Sequence, residues 1–449
     1  MKYPGVVIRL PVMLSVIAIL SLAQQKNFAA ATCPCDIYKN GGTPCIAAHS
    51  TVRLLVSTYT GPLYQVRRSS DNTTKDIYPV SGGTAANSAA QDSFCSGTCV
   101  ITKIYDQSGK GNFVEYQGTG SSVGGSANPA VATADSLYLG GKKVYSLYIK
   151  QGMSYWRNGS KSDVPTGSAP EGIYMVTSGK HYNGLCCFDY GNSETDRKPD
   201  GGGTMDAVNF SAITMWGTGA GSGPWVMADL EFGLFSQGGG GKNQNDITQT
   251  STYVTALLKN NGTTEFQLKG GNATSGSLGS YYKGALPQGY NPMKKQGAIV
   301  LGSGGDCCPS NFNLAEGTFY EGAIVSGYPS DSTDNAIQAN IVSAGYGSKT
   351  PSNISNRSDN VQRASPVNVQ CIQSNAGAVM SYALQHARRV SVDIFDQRGR
   401  RIAAVVDGIV PAGRHEAVWD AKLVRAGVYV CRVEIDGRGE WAGKIVVGK

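Results

Sequence analysis

Apolar and polar positions along most of the chain fall in short runs. Residues 51–56, 100–105 and 297–301 are rich in Val, Ile, Leu and Thr and are bounded by Gly, Ser, Asn or Asp, the pattern of short strands joined by tight turns. Over residues 32–348 this predicts an all-β domain, a β-sandwich of the jelly-roll kind. One helix is predicted over 334–344, where Asp334 opens a stretch that places Ile337, Ile341 and Val342 at helical spacing. Residues 349–370 then turn polar, with Pro351, Ser352, Asn353, Ser355, Asn356, Ser358, Asp359, Asn360 and Pro366. They hold too few apolar side chains to bury a core and read as a linker. Alternation resumes in the tail, 371–449, through 390–396, 417–420, 427–433 and 444–447, which predicts a second, smaller sandwich. The first 31 residues differ again: Lys2 and Arg9 precede the apolar run 12–20, and Ala29, Ala30 and Ala31 follow. That is the order of an export signal, and the run is short for a membrane span. A membrane anchor is the alternative reading, and the Ala cluster and Cys-rich start beyond it favour cleavage. A secreted or cell-surface protein is expected.

Composition supports this picture and narrows it. Gly accounts for 59 of 449 residues and only 16% are charged, which suits short strands and tight turns better than long salt-bridged helices. Eleven Cys in an exported chain argue for disulfides. The close spacings Cys35 to Cys45, Cys95 to Cys99 and Cys186-Cys187 suggest local bridges, while the odd total leaves at least one thiol without a partner in the chain. A bridge between Cys371 and Cys431 within the tail is one option, which the sequence leaves open. The four His (His49, His181, His386 and His415) are scattered and form no zinc-like set with Cys, so no metal is expected. The net charge of +7 comes without a basic stripe interleaved with aromatics, and a nucleic-acid partner is not expected.

Two segments carry candidate chemistry. In 221–235, a continuous strand would turn Asp229 and Glu231 to one face and Leu230 and Phe232 to the other. Two neighbouring carboxylates on one face repel each other unless that face lines a wet cleft; an edge strand with one solvated face is the alternative. In 298–306, an apolar run ends in Gly302, Gly304, Gly305 and Asp306, where glycine lets a ligand approach the backbone. An ordinary turn is the alternative there. Glycoside hydrolysis needs two such carboxyl groups, whereas no Gly-x-Ser-x-Gly elbow stands between a strand and a helix to support a serine hydrolase. Adjacent Cys186 and Cys187, if bridged to each other, would present a rigid apolar patch suited to a sugar face; each pairing elsewhere is the alternative.

These segments belong to a longer series. Cys35-Asp36-Ile37-Tyr38, 43–51 from Thr43-Pro44-Cys45 to His49-Ser50-Thr51, Gln91-Asp92-Ser93-Phe94-Cys95, Ile104-Tyr105-Asp106-Gln107-Ser108-Gly109, the Cys-Cys-Phe-Asp-Tyr-Gly-Asn run at 186–192 and Gly317-Thr318-Phe319-Tyr320-Glu321-Gly322 together resemble glycoside hydrolase family 54. That resemblance, across 35–346, implies a retaining α-L-arabinofuranosidase with a sandwich related to clan-B glycanases. It implies Glu231 as nucleophile and Asp306 as acid/base, with Asp229, Trp216, Gly305 and the Cys186–Cys187 bridge as sugar contacts. Phe232 and Leu234 are counted with the substrate-binding positions. It also implies the pairs Cys35–Cys45 and Cys95–Cys99, and no cofactor. The expected partner is arabinose-bearing plant cell-wall polysaccharide, arabinan or arabinoxylan, acted on by a monomer.

The chain departs from that family at three places. Phe232 and Gly233 stand where Asn-Asn is usual, Cys307-Cys308 follows Asp306, and a β-trefoil usual at the C-terminus is replaced by the tail. The tail resembles immunoglobulin-like sorting or anchoring modules of secreted bacterial proteins, in its Asp396-Gln397-Arg398-Gly399-Arg400 turn, its Trp419-Asp420 and its Gly427-Val428-Tyr429 strand. A bacterial source and contact with secretion or surface machinery are expected from it. Two other functions stay open on sequence: a non-catalytic carbohydrate-binding sandwich, and a related endo-glycanase cutting main chains.

Overall fold

A computed structural model describes residues 33–116, 127–303 and 314–349, and in the C-terminal part 370–374, 377–384, 388–397, 400–411, 413–422, 424–435 and 438–447. The expected export signal, residues 350–369 of the expected linker, and Gly305, Asp306, Cys307 and Cys308 lie outside the described residues. The chain divides into two compact units, one up to Ser355 and one from Asn356.

In the first unit two large antiparallel sheets face each other. One runs in the order Cys45–Ser50, Gly317–Ser326, Glu171–Tyr182, Tyr253–Asn260, Phe266–Asn272, Gly279–Gly284, with Leu147–Ile149 also pairing Gly317–Ser326. The other has ten strands, ordered Leu234–Phe235, Trp225–Asp229, Asp206–Ser211, Phe188–Ser193, Ala298–Ser303, Ser154–Arg157, Val114–Tyr116, Cys99–Ile104, Tyr64–Arg68, Thr74–Ile77. Alternation decides which way each strand faces. Phe188, Tyr190, Val208, Phe210, Val226, Ala228, Ile299 and Leu301 enter the core between the sheets, so Asp189, Gly191, Ala207, Asn209, Met227, Asp229, Val300 and Gly302 take the opposite face. The β-sandwich expected from the alternating pattern is the fold observed.

The helix covers Asp331–Ala344, starting one turn before the expected position because the Ser330 hydroxyl accepts from the Thr333 N–H at 3.2 Å and caps it there. Asp334 in its first turn receives Lys259 and Lys269, each Nζ at 2.7 Å, which fastens the helix to the first sheet. Two short helices, Pro34–Asn40 and Ser88–Cys95, had no clear periodic signal. The run 51–56 is not a strand; the strand is Cys45–Ser50 just before it. There the Ser50 hydroxyl accepts from the N–H groups of Val52 and Arg53 at 3.1 and 3.0 Å and turns the chain. Cys35–Cys45 and Cys95–Cys99 are bridged, as implied by the resemblance.

The second unit is built from a three-stranded sheet, Gln370–Ser374, Gly377–Leu384, Gly413–Asp420, and a four-stranded one, Arg401–Val410, Arg388–Phe395, Gly427–Ile435, Arg438–Val447. Its own core includes Val390, Val392, Ile394, Trp419, Tyr429, Cys431 and Val433, with Trp419 and Tyr429 edge to face at 5.3 Å. Among the described residues, no helix is long and apolar enough to cross a membrane.

The two sheets of the first unit are also tied by charge. Glu171, Asp206 and Lys295 are buried, with Lys295 Nζ at 3.1 Å from Glu171 and 3.7 Å from Asp206, and Asn192 donates to Glu171 at 3.1 Å. Two carboxylates share one ammonium out of reach of water, so burial, with Asp206 as a like-charged neighbour, pushes the Glu171 carboxyl well above its usual range. The folded state therefore holds a proton that the unfolded chain releases, and stability declines as pH rises above the ordinary glutamate value. Glu171→Gln keeps the shape and an acceptor for Asn192. Thermal melts between about pH 5 and 8 should show a shallower loss of Tm with rising pH for the variant than for the parent; parallel slopes would rule out the proton.

Candidate active site

The strand Trp225–Asp229 ends where a continuous strand was expected to run on. Glu231 and Phe232 both adopt left-handed backbone, φ 64 and 53, and the chain returns as Leu234–Phe235, pairing Asp229 with Leu234 and Ala228 with Phe235. Glu231 thus sits on a hairpin turn and shares no strand face with Asp229, which corrects the alternation drawn from sequence. The turn is held at both backbone ends of Glu231. Its N–H donates to Asp229 Oδ1 at 3.1 Å, and its carbonyl accepts from the Tyr290 hydroxyl at 2.7 Å. The preceding carbonyl, of Leu230, accepts from Gly203 N at 2.7 Å. Asp229 and Glu231 are each only 7% exposed, so their carboxylates lie in a recess rather than on a solvated edge.

Burial first, and then the nearby Asp229 and Glu231 carboxylates, raise the Tyr290 hydroxyl above its usual range. It stays protonated at neutral pH and can donate to the Glu231 carbonyl. Gly202 makes room for it, since a Cβ there would sit 2.8 Å from the Tyr290 ring.

Cys186 and Cys187 are bridged to each other across a cis peptide. The pair rests on a small apolar cluster of Cys187, Ile213, Trp225, Met227 and Leu234. Leu234, counted among substrate-binding positions, is 1% exposed; it is part of the floor under the bridge, because its pairing with Asp229 turns its side chain into that cluster. Trp216 is 36% exposed and precedes Gly217, where a Cβ would lie 3.0 Å from the Leu234 carbonyl, so the segment that carries it runs alongside the strand that follows the Glu231 turn. Phe232 is 61% exposed.

Beyond Asp229, the sheet adds Asp189, which sequence reasoning passed over. It is fully buried, accepts from Asn209 Nδ2 at 2.7 Å, and Asn209 in turn accepts from Ser211 Oγ at 2.9 Å. Cys187, Asp189 and Asp229 offer ligand atoms all within 4.8 Å of one another. The Cys187 sulfur is committed to its disulfide, leaving two carboxylates, fewer protein ligands than a zinc site uses. Period-two spacing from Cys187 would have found Asp189. Tyr290 lies in a Gly- and Pro-rich loop with no periodic signal. His49, flagged as scattered, is buried with its ring nitrogens on Tyr190 Oη and Asn112 O at 2.9 and 2.8 Å, a packing role. Asp306 and Gly305 lie outside the described residues; the strand leading to them ends at Ser303, opposite Phe188 beside the cysteine pair.

A family model described as alpha-L-arabinofuranosidase B, catalytic, matches residues 34–347. The chain belongs to that family. A probable alpha-L-arabinofuranosidase B of Aspergillus fumigatus is 53% identical over 320 residues, covering 70% of this chain and 62% of that protein. An alpha-L-arabinofuranosidase of Hypocrea jecorina is also 53% identical over 320 residues, covering 70% and 63%. Among solved structures, a glutamate-to-glutamine mutant of a GH54 arabinofuranosidase soaked with 4-nitrophenyl α-L-arabinofuranoside matches at 43% identity and TM-score 0.66, covering 79% of this chain and 73% of that one. An arabinofuranosidase complexed with arabinofuranosyl-α-1,2-xylobiose matches at 42% identity and TM-score 0.66, over 82% and 72%. The chain spans about 62% of the length of the first of these curated relatives.

If the Tyr290 bond holds the arabinofuranosidase-family turn in place, Tyr290→Phe should lower unfolding stability by about 0.5–1.5 kcal/mol. Urea denaturation of parent and variant measures this, and an unchanged midpoint would mean the turn is held without it.

Proposed function

We propose that the protein is an exported, retaining exo-α-L-arabinofuranosidase that removes terminal arabinofuranosyl groups from arabinan or arabinoxylan, with Glu231 as nucleophile and Asp306 as acid/base. The observation that carries this is the Glu231 turn. A recessed carboxylate stands on a turn whose backbone is fixed through the N–H and carbonyl of the same residue, so the side chain starts from a set position, as attack on one carbon requires. Family membership supports the activity, and the relative complexed with arabinofuranosyl-α-1,2-xylobiose supports the substrate class.

In this mechanism the Glu231 carboxylate attacks the anomeric carbon as the glycosidic C–O bond breaks and Asp306 gives its proton to the leaving oxygen. Asp306 then takes a proton from water, which attacks the same carbon and expels Glu231, freeing arabinose with its configuration retained. Retention calls for carboxyl groups about 5–5.5 Å apart. Asp306 follows Ser303 by three positions, a reach of roughly 11 Å at most from the strand end beside the cysteine pair. Asp229 and the Cys186–Cys187 bridge would bind the hydroxyls and the apolar face of the arabinose, with Trp216 and Gly305 as further contacts.

Export is supported by the three disulfides among the described residues together with the pattern of the first 31 residues. For the tail from 371, separated from a 32–348 catalytic domain by the 349–370 linker, we propose a sorting or anchoring role. Its motif residues have structural work to do: Asp396 accepts from Arg400 N at 3.0 Å, and Trp419 packs on Tyr429. The relatives named above come from fungi, so they lend no support to a bacterial source.

Glu231→Gln preserves the backbone bonds of the turn and removes the nucleophile. Assayed on 4-nitrophenyl α-L-arabinofuranoside, it should lose roughly three orders of magnitude or more in kcat; activity within a few-fold of the parent would overturn the assignment.

A further inference from the structure

The residue after the proposed nucleophile is an aromatic in a place that suits neither its backbone nor its surface. Phe232 takes φ 53, a conformation that Gly or Asn adopts readily and a bulky side chain does not. It also leaves 61% of its surface in water, so it gains little from burial. Strain and exposure together at a position beside a carboxylate proposed to react point to a contact made with substrate.

Its surroundings are built. Gly201, at φ +123, runs along one edge of the ring, where a Cβ would stand 4.0 Å from Cε2. The same glycine stretch clears space for Tyr290 and, through Gly203, holds the Leu230 carbonyl. Phe232 therefore stands on a side-chain-free shelf with much of its ring open. Tyr182, Leu185, Met215 and Trp216, 36, 41, 72 and 36% exposed, are further large apolar side chains exposed close in sequence to the candidate site.

We infer that Phe232 determines specificity for the leaving group, stacking on the pyranose ring that carries the arabinosyl unit. This rests on the proposed function. The sugar bound at Glu231 enters a recess where Asp229 and Glu231 are each 7% exposed, whereas the part of the substrate still meeting solvent is the part that departs. A xylosyl ring, with equatorial hydroxyls, offers broad, flat C–H faces to an aromatic ring; the smaller, puckered furanosyl ring of an arabinan backbone offers less. The occupant that fits is a xylan backbone sugar rather than an arabinan one.

The test compares kcat/KM for arabinofuranosyl-α-1,2-xylobiose with that for methyl α-L-arabinofuranoside, whose leaving group cannot stack. Phe232→Ala and Phe232→Asn should lower the ratio of the two values by about fivefold to tenfold, mainly through KM for the xylobioside, and Phe232→Tyr should restore it. Phe232→Asn should at the same time melt no lower than the parent, since Asn accepts the left-handed turn, so a fall in the ratio cannot be blamed on unfolding. Equal losses on both substrates would mean that Phe232 only shapes the turn, and an unchanged ratio would remove it from the site; either overturns the inference while leaving Glu231 in place. A parent that releases arabinose from neither substrate would instead bring down the proposed function, and this inference with it.

Discussion

The candidate site depends on a buried charge cluster that lies behind it. Glu171 belongs to one sheet, Asp206 to the other, and Lys295 to the loop that leads into the strand Ala298–Ser303, and all three are cut off from water. Such a cluster contributes little net stability, because the cost of desolvating ions offsets most of their attraction, yet breaking it by removing one partner is expensive. Its effect is therefore on geometry. Asp206 is followed by Ala207, the register partner of Asp229, and Asn260 from the first sheet also donates to Asp206 at 3.1 Å. The position of the carboxylate-bearing strand is thus fixed from the opposite sheet.

From that strand the constraint passes outward by ordinary hydrogen bonds. Asp229 fixes the Glu231 N–H, Tyr290 fixes its carbonyl, and Gly203 fixes the carbonyl before it. The left-handed conformations of Glu231 and Phe232 persist because these bonds over-determine them. Underneath, the Ser211–Asn209–Asp189 chain satisfies polar groups that the sheet would otherwise leave buried and unpaired, and the apolar floor of Trp225, Met227 and Leu234 supports the cysteine bridge.

Much of this was legible in the sequence, and the illegible parts share a cause. Strands such as Ala298–Ser303 and Cys99–Ile104 announce themselves as short runs rich in Val and Ile bounded by turn residues, the first buried on both faces. The helix was found through Ile337 and Ile341, and placed one turn late because its cap, Ser330, lies outside the periodic stretch. The cysteine pairs were carried by resemblance, since spacing alone left their partners open. What failed was the turn: Leu230-Glu231-Phe232-Gly233-Leu234 reads as alternation, and an exposed Phe looks the same in sequence as a buried one. Tyr290 gave no signal at all, because a loop residue is brought to a site by tertiary contact and leaves no period behind.

The same failure explains why the turn matters. Hydrophobic pattern predicts structure by assuming that an apolar side chain sits where burial rewards it, and backbone propensity assumes that a residue sits where its φ is easy. Phe232 violates both at one position, next to Glu231, which violates the second. Two adjacent left-handed non-glycine residues are strained, since Asn or Gly at either position would relax the backbone. In a turn tied down at three hydrogen bonds that strain is borne by the rest of the sandwich, and the positions of these two side chains relative to the recess are what the sandwich holds constant.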